Sequence, residues 1–87
     1  MSKNKKATTK DELFLLKLHE LSLEKGSEFE EIGRFVIGRA IGQNDKGVNA
    51  ISKHLAQANF IKKGSEDSFF LTPHGLSLVE LLLKERA

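Results

Sequence analysis

The chain has 87 residues, of which 39 % are hydrophobic; this supports one small core and excludes two domains or a large enclosed active site. It contains no cysteine and three scattered histidines (His19, His54 and His74), which excludes disulfides and thiolate metal sites, gives no reason to expect a metal or cofactor, and fits a reduced compartment. The formal net charge of +2 is too small to identify a partner, so the distribution of charge along the chain carries the information.

Residues 1–10 hold four lysines and no acid and lack apolar periodicity, which predicts a disordered basic arm. This polar start also lacks the apolar stretch of a secretory signal, so a cytoplasmic protein is expected. From Asp11 the leucines Leu13, Leu16, Leu18, Leu21 and Leu23 recur near helical spacing, with Asp11 and Glu12 in the first turn, where the helix dipole favours acids. Gly26 after Lys25 ends this first helix. Residues 11–31 carry two bases against seven acids.

Ser27 and Glu30 have capping-box spacing and predict a second helix reaching Gly42, with Phe29, Ile32, Phe35 or Val36, and Ala40 on its buried face. Gly33 and Gly38 inside it call for close packing against a neighbour. Asn44 or Asp45 caps a third helix over about Lys46 to Ala58. Val48, Ile51, Leu55 and Ala58 fall on one side of it, and Lys46, Asn49, Ala50, Lys53 and Gln57 lie opposite. Residues 32–63 carry six bases against one acid, an excess that suits a polyanionic partner.

The run FIKKGSEDSFFLT predicts strands over Phe60–Lys63 and Ser68–Thr72 joined by a Gly-Ser-Glu-Asp turn. Phe69 and Phe70 must then point to opposite sides, and at least four of the six phenylalanines are expected in the core. Thr72 and Pro73 form a helix start for a fourth helix to about Arg86, with a stripe of Leu76, Val79, Leu82 and Leu83. Leu78 and Leu81 widen its apolar surface beyond one small core and predict a dimer surface. The run Leu76–Leu83, broken by Ser77 and Glu80, falls short of the ~20 residues that cross a bilayer, so no membrane partner is expected. GQNDKGVN fails as a phosphate loop because Val48 and Asn49 stand where Lys and Ser or Thr are needed. No nucleophile, base and orienting group come together in this sequence, so no enzyme activity is expected.

Three helices, a two-stranded hairpin and a helix opening on LTPHG describe a mainly α fold that resembles the winged-helix form of the helix-turn-helix DNA-binding domain, over about residues 11–86. IGRAIGQNDKGVNAISKHLAQANFI resembles the second helix, turn and recognition helix of bacterial and archaeal transcription regulators. FFLTPHGLSLVELL resembles their second wing strand and C-terminal helix. The resemblance implies double-stranded DNA as partner, with the helix from Lys46 lying in the major groove. Asn49 and Gln57 would then meet adenine edges, and Lys46 and Lys53 guanine or phosphate. Arg34 and Arg39 would hold the DNA backbone from the second helix, and Lys62 and Lys63 from the base of the wing. It also implies a homodimer paired through the C-terminal helix, acting in transcription regulation. The acidic wing tip, Glu66 and Asp67, departs from a phosphate-gripping wing, and the third helix lacks arginine. With the acidic first helix, that tip is the argument for a rival reading, a winged helix used for protein–protein contact.

Overall fold

A computed structural model describes residues 9–86. Thr9 starts α1 (Lys10–Lys25) through a reciprocal capping box: its Oγ1 accepts from the Glu12 amide, and its own amide donates to Glu12 Oε1, both at 3.1 Å. The basic arm expected over residues 1–10 thus lies outside the described residues except for Thr9 and Lys10, which belong to the helix. Phe14, Leu15, Leu18, His19 and Ser22 form the buried side of α1.

The expected second helix starting at Ser27 does not form. Buried Ser22 intervenes: its Oγ accepts from the Glu30 amide at 2.7 Å and donates to the Ser27 carbonyl at 2.6 Å, holding the turn against α1. The Ser27 hydroxyl is used inside this turn, accepting from the Phe29 amide at 3.2 Å. The chain then extends into a short strand, β1 (Ile32–Gly33), and only afterwards turns helical in α2 (Arg34–Ala40). Phe29 and Val36 are consequently about half exposed and Ala40 is exposed, while Ile37 and Gly38 are the buried residues of α2.

Of the two glycines expected to permit close packing, Gly38 does so: a Cβ there would stand 2.1 Å from Val48 Cγ2, so α2 can seat against α3 (Asp45–Gln57) only without a side chain. Gly33 has no such neighbour, since a Cβ there would touch only Val36 at 3.6 Å. Asn44 Oδ1 accepts from the Gly47 amide at 2.8 Å and caps α3. The helix ends on Asn59 at φ 67°, with the Phe60 amide donating to the Leu55 carbonyl and the Asn59 amide to that of Ala56. Val48, Ile51, Ser52 and Leu55 are its buried side; Ala58 lies beyond the helix and is exposed.

Strands β2 (Ile61–Lys63) and β3 (Ser68–Leu71) pair antiparallel with Ile61 opposite Leu71, Lys62 opposite Phe70 and Lys63 opposite Phe69. β1 adds to the other side of β3, Ile32 opposite Phe69, so the sheet has three strands in the order β1-β3-β2 rather than the two expected. Ile61, Phe69 and Leu71 face the core, and Lys62 and Phe70 face away from it.

Thr72 begins α4 (Pro73–Arg86): its Oγ1 accepts from the Gly75 amide at 2.9 Å and donates to the Asn59 carbonyl at 2.7 Å. Gly75 lets the helix press on the α3–β2 junction, because a Cβ would stand 2.0 Å from the Phe60 carbonyl oxygen. Val79 and Leu82 are buried and Leu76 and Leu78 pack against the core, whereas Leu81 and Leu83 stay open. The described residues are therefore mainly helical, with four helices around a small antiparallel sheet and one core joining α1, Ile37, α3, the sheet and Val79. Phe14 and Phe69 lie inside that core and Phe35 and Phe60 pack against it. No helix among the described residues is long and apolar enough to cross a membrane.

Candidate nucleic-acid interface

α3 packs against α2, β2 and α1, which among the described residues leaves one long face free. Lys46, Asn49, Ala50, Lys53 and Gln57 are all exposed on that face. Among the described residues no hydrogen bond or ion pair engages the side chain of Lys46, Asn49, Lys53 or Gln57. Arg39, in the last turn of α2, and Lys62, on the outward side of β2, are exposed and equally without partners among the described residues. These side chains combine cations with amides that both donate and accept, on a surface no other described residue engages.

Arg34 and Lys63 stand elsewhere. The Arg34 amide donates to the Asp67 carbonyl at 2.8 Å, and its Nη2 lies 3.3 Å from Asp67 Oδ1, with the guanidinium carbon 4.9 Å from the Phe35 ring centre. Lys63 Nζ donates to the Glu66 carbonyl at 2.6 Å and closes the hairpin turn. Both side chains are thus engaged at the turn, and Asp67, one of the two acids of the tip, has an arginine beside it.

Glu31 completes the turn from a distance in sequence. Its Oε1 accepts from the Ser65 amide at 3.1 Å, the Ser65 hydroxyl at 2.8 Å and the Ser68 hydroxyl at 3.0 Å. The Ser65 amide, then the two hydroxyls, hold the Glu31 carboxyl below its ordinary value, with Lys25 adding a smaller attraction. Lys25 Nζ also donates to the Glu31 carbonyl at 2.9 Å. The sequence carries no short-range sign of this clamp, because residue 31 lies 34 positions from Ser65.

Most acids of the first third are likewise absorbed locally. Glu12 caps α1, Glu20 pairs with Lys17 at 3.0 Å, Glu28 lies 3.3 Å from buried His19, and Glu30 accepts from the Ser27 hydroxyl. Asp11 Oδ2 lies 2.7 Å from His54 Nδ1 and ties the first turn of α1 to α3. An open groove of about 370 Å³ between α1 and the end of α2 is lined by Leu13, Leu16, Ala40 and Ile41, with the Lys17–Glu20 pair at its polar side. Among the described residues no three acids or histidines are grouped to hold a metal ion. Against protein-family models, curated proteins and solved structures, the chain gives no significant match. Geometry and chemistry therefore carry the functional reading.

Proposed function

We propose that the chain is a winged-helix domain that binds double-stranded DNA through the outward face of α3 and acts in transcription regulation. The observation that carries this reading is the contrast in side-chain use: Lys46, Asn49, Lys53 and Gln57 share a face with no partner from the described residues, while most acids and the turn cations Arg34 and Lys63 are engaged within the fold. The element order supports it, with the β2–β3 hairpin lying between α3 and α4 where a wing would stand. In this reading the first turns of α3 meet base edges, and Arg39 and Lys62 contact the DNA backbone. Arg34 acts on the hairpin, through Asp67, rather than on DNA. The protein-contact rival weighs less, because Asp67 and three of the four acids of α1, Asp11, Glu12 and Glu20, already have local partners.

Pairing of two copies through α4 belongs to the same proposal and rests on Leu81 and Leu83, 51 % and 46 % exposed on the last turns of the described chain. Sedimentation of wild type against Leu81→Glu tests it; identical masses for both proteins sink the pairing.

The test of the main reading is binding to a random-sequence duplex across a salt series, with Lys53→Ala/Asn49→Ala alongside. Wild type should bind at low salt and weaken steeply as salt rises, since each neutralised phosphate contributes about −0.9 to the log–log slope. The double variant should bind more weakly. Salt-insensitive or absent binding returns the protein-contact reading.

A further inference from the structure

His54 stands on the flank of the α3 face, beside Ala50 and Gln57 one turn away, with its side chain 72 % exposed. Its Nδ1 lies 2.7 Å from Asp11 Oδ2, while Nε2 meets no hydrogen-bonding group among the described residues. A carboxylate only accepts, so Nδ1 carries the hydrogen and donates it; in the neutral ring Nε2 is then a bare acceptor. Asp11 thus fixes both the orientation of the ring and which nitrogen faces outward.

Resting on the duplex-binding reading above, we infer that His54 is a further phosphate contact, oriented by Asp11, and that it takes up a proton at Nε2 when it is engaged. A side chain on the flank of a helix lying in the major groove meets the sugar–phosphate backbone rather than base edges. A phosphate oxygen also only accepts, so it repels the lone pair at Nε2 and is held only once that nitrogen bears a hydrogen. The proton comes from solvent, and no bond between heavy atoms changes. In the engaged state the imidazolium lies between two anions, the Asp11 carboxylate behind it and the phosphate in front. Asp11 is the charged group that faces His54 from α1; Lys10 is its chain neighbour, and Lys53 is the neighbour of His54 on α3. Asp11 acts here as a positioning residue and His54 as the contact.

The test is the affinity of the full chain for a random-sequence duplex at fixed salt, followed between about pH 8 and pH 6, where an ordinary histidine changes charge. Wild type, His54→Gln, Asp11→Asn and Lys53→Ala/Asn49→Ala are compared. Wild type should gain affinity as the pH falls, by up to about tenfold per pH unit for one linked proton, if engagement is coupled to proton uptake at Nε2 as inferred. His54→Gln should bind without that gain and stay folded, with a melting temperature within a few degrees of wild type, since an ion pair to a largely exposed histidine contributes little to stability. Asp11→Asn should show a smaller gain, and the double variant a weaker affinity at every pH with the gain intact. The same gain in His54→Gln, or salt-sensitive wild-type binding that ignores pH, overturns the inference and leaves the duplex reading standing. A full gain in Asp11→Asn overturns the positioning role of Asp11. Absence of salt-sensitive binding by wild type at every pH overturns both readings together.

Discussion

The hairpin turn and the outward face of α3 are both rich in charge and hydrogen-bonding groups, yet they treat them in opposite ways. At the turn, Glu31 accepts three hydrogen bonds, Arg34 meets Asp67, and Lys63 closes onto Glu66. On α3, Lys46, Asn49, Lys53 and Gln57 reach outward with nothing from the described residues to receive them. The difference separates two uses of polar side chains. Groups satisfied inside the fold fix a shape, and groups left unsatisfied on a rigid helix are available to something else. Exposed lysines are ordinary, so the weight falls on their sharing one face with two amides, on an element held by buried packing against α1, α2 and β2.

The largest effect should come from Gly38→Ala, which undermines both regions by displacing α3. The new Cβ would meet Val48 at 2.1 Å, an overpacking expected to cost about 1–3 kcal/mol in chemical denaturation and to lower duplex affinity as well. A wild-type denaturation midpoint in that variant would mean that α2 and α3 are not seated as described. Next comes Lys53→Ala/Asn49→Ala, expected to reduce duplex affinity about tenfold or more. Its stability should stay within ~0.5 kcal/mol of wild type, because neither side chain supports the fold. A large loss of stability would move this face into the class of the hairpin turn.

Arg34→Ala should do the reverse. It removes a partly exposed ion pair, for a stability loss of about 0.5–1 kcal/mol, and leaves the salt slope of DNA binding unchanged. A slope reduced by about one would return Arg34 to the role of a backbone contact. The smallest effect, and the sharpest in pH, belongs to Glu31→Gln. Because the folded state holds the Glu31 carboxyl below its ordinary value of 4.5, its stabilising contribution is fully present above that value and is lost as the pH falls through the lower value of the folded site. The denaturation midpoints of wild type and Glu31→Gln should therefore differ near neutral pH and converge in acid. Parallel curves throughout would show that the three hydrogen bonds do not hold the turn.

Much of this was legible in the chain itself because it depends on neighbours in sequence. The alternation of Val48, Ile51 and Leu55 against Lys46, Asn49 and Lys53 defines the two sides of α3 whatever it packs on. Asn44 and Thr72 cap their helices through bonds to amides three residues on. The pairing of Lys62 with Phe70 follows once the Gly-Ser-Glu-Asp turn is recognised. The Thr9–Glu12 box was equally readable and starts α1 earlier than the leucine pattern indicates.

What only the tertiary structure decided are the places where a local signal competed with a distant partner. Ser27 and Glu30 have the spacing of a helix start, but Ser22 takes the Glu30 amide and β3 takes Ile32 as a strand neighbour, so the helix begins seven residues later at Arg34. Arg34, Lys63 and Asp67 look like free surface charges in one dimension and are partners or turn closures in three. Glu31 meets Ser65, and Asp11 meets His54 across 43 positions, contacts that no periodicity announces. Short-range spacing determines which way a side chain faces. Only the folded chain determines whether another part of the protein already occupies that direction, and on this that separation of the clamped turn from the open face of α3 depends.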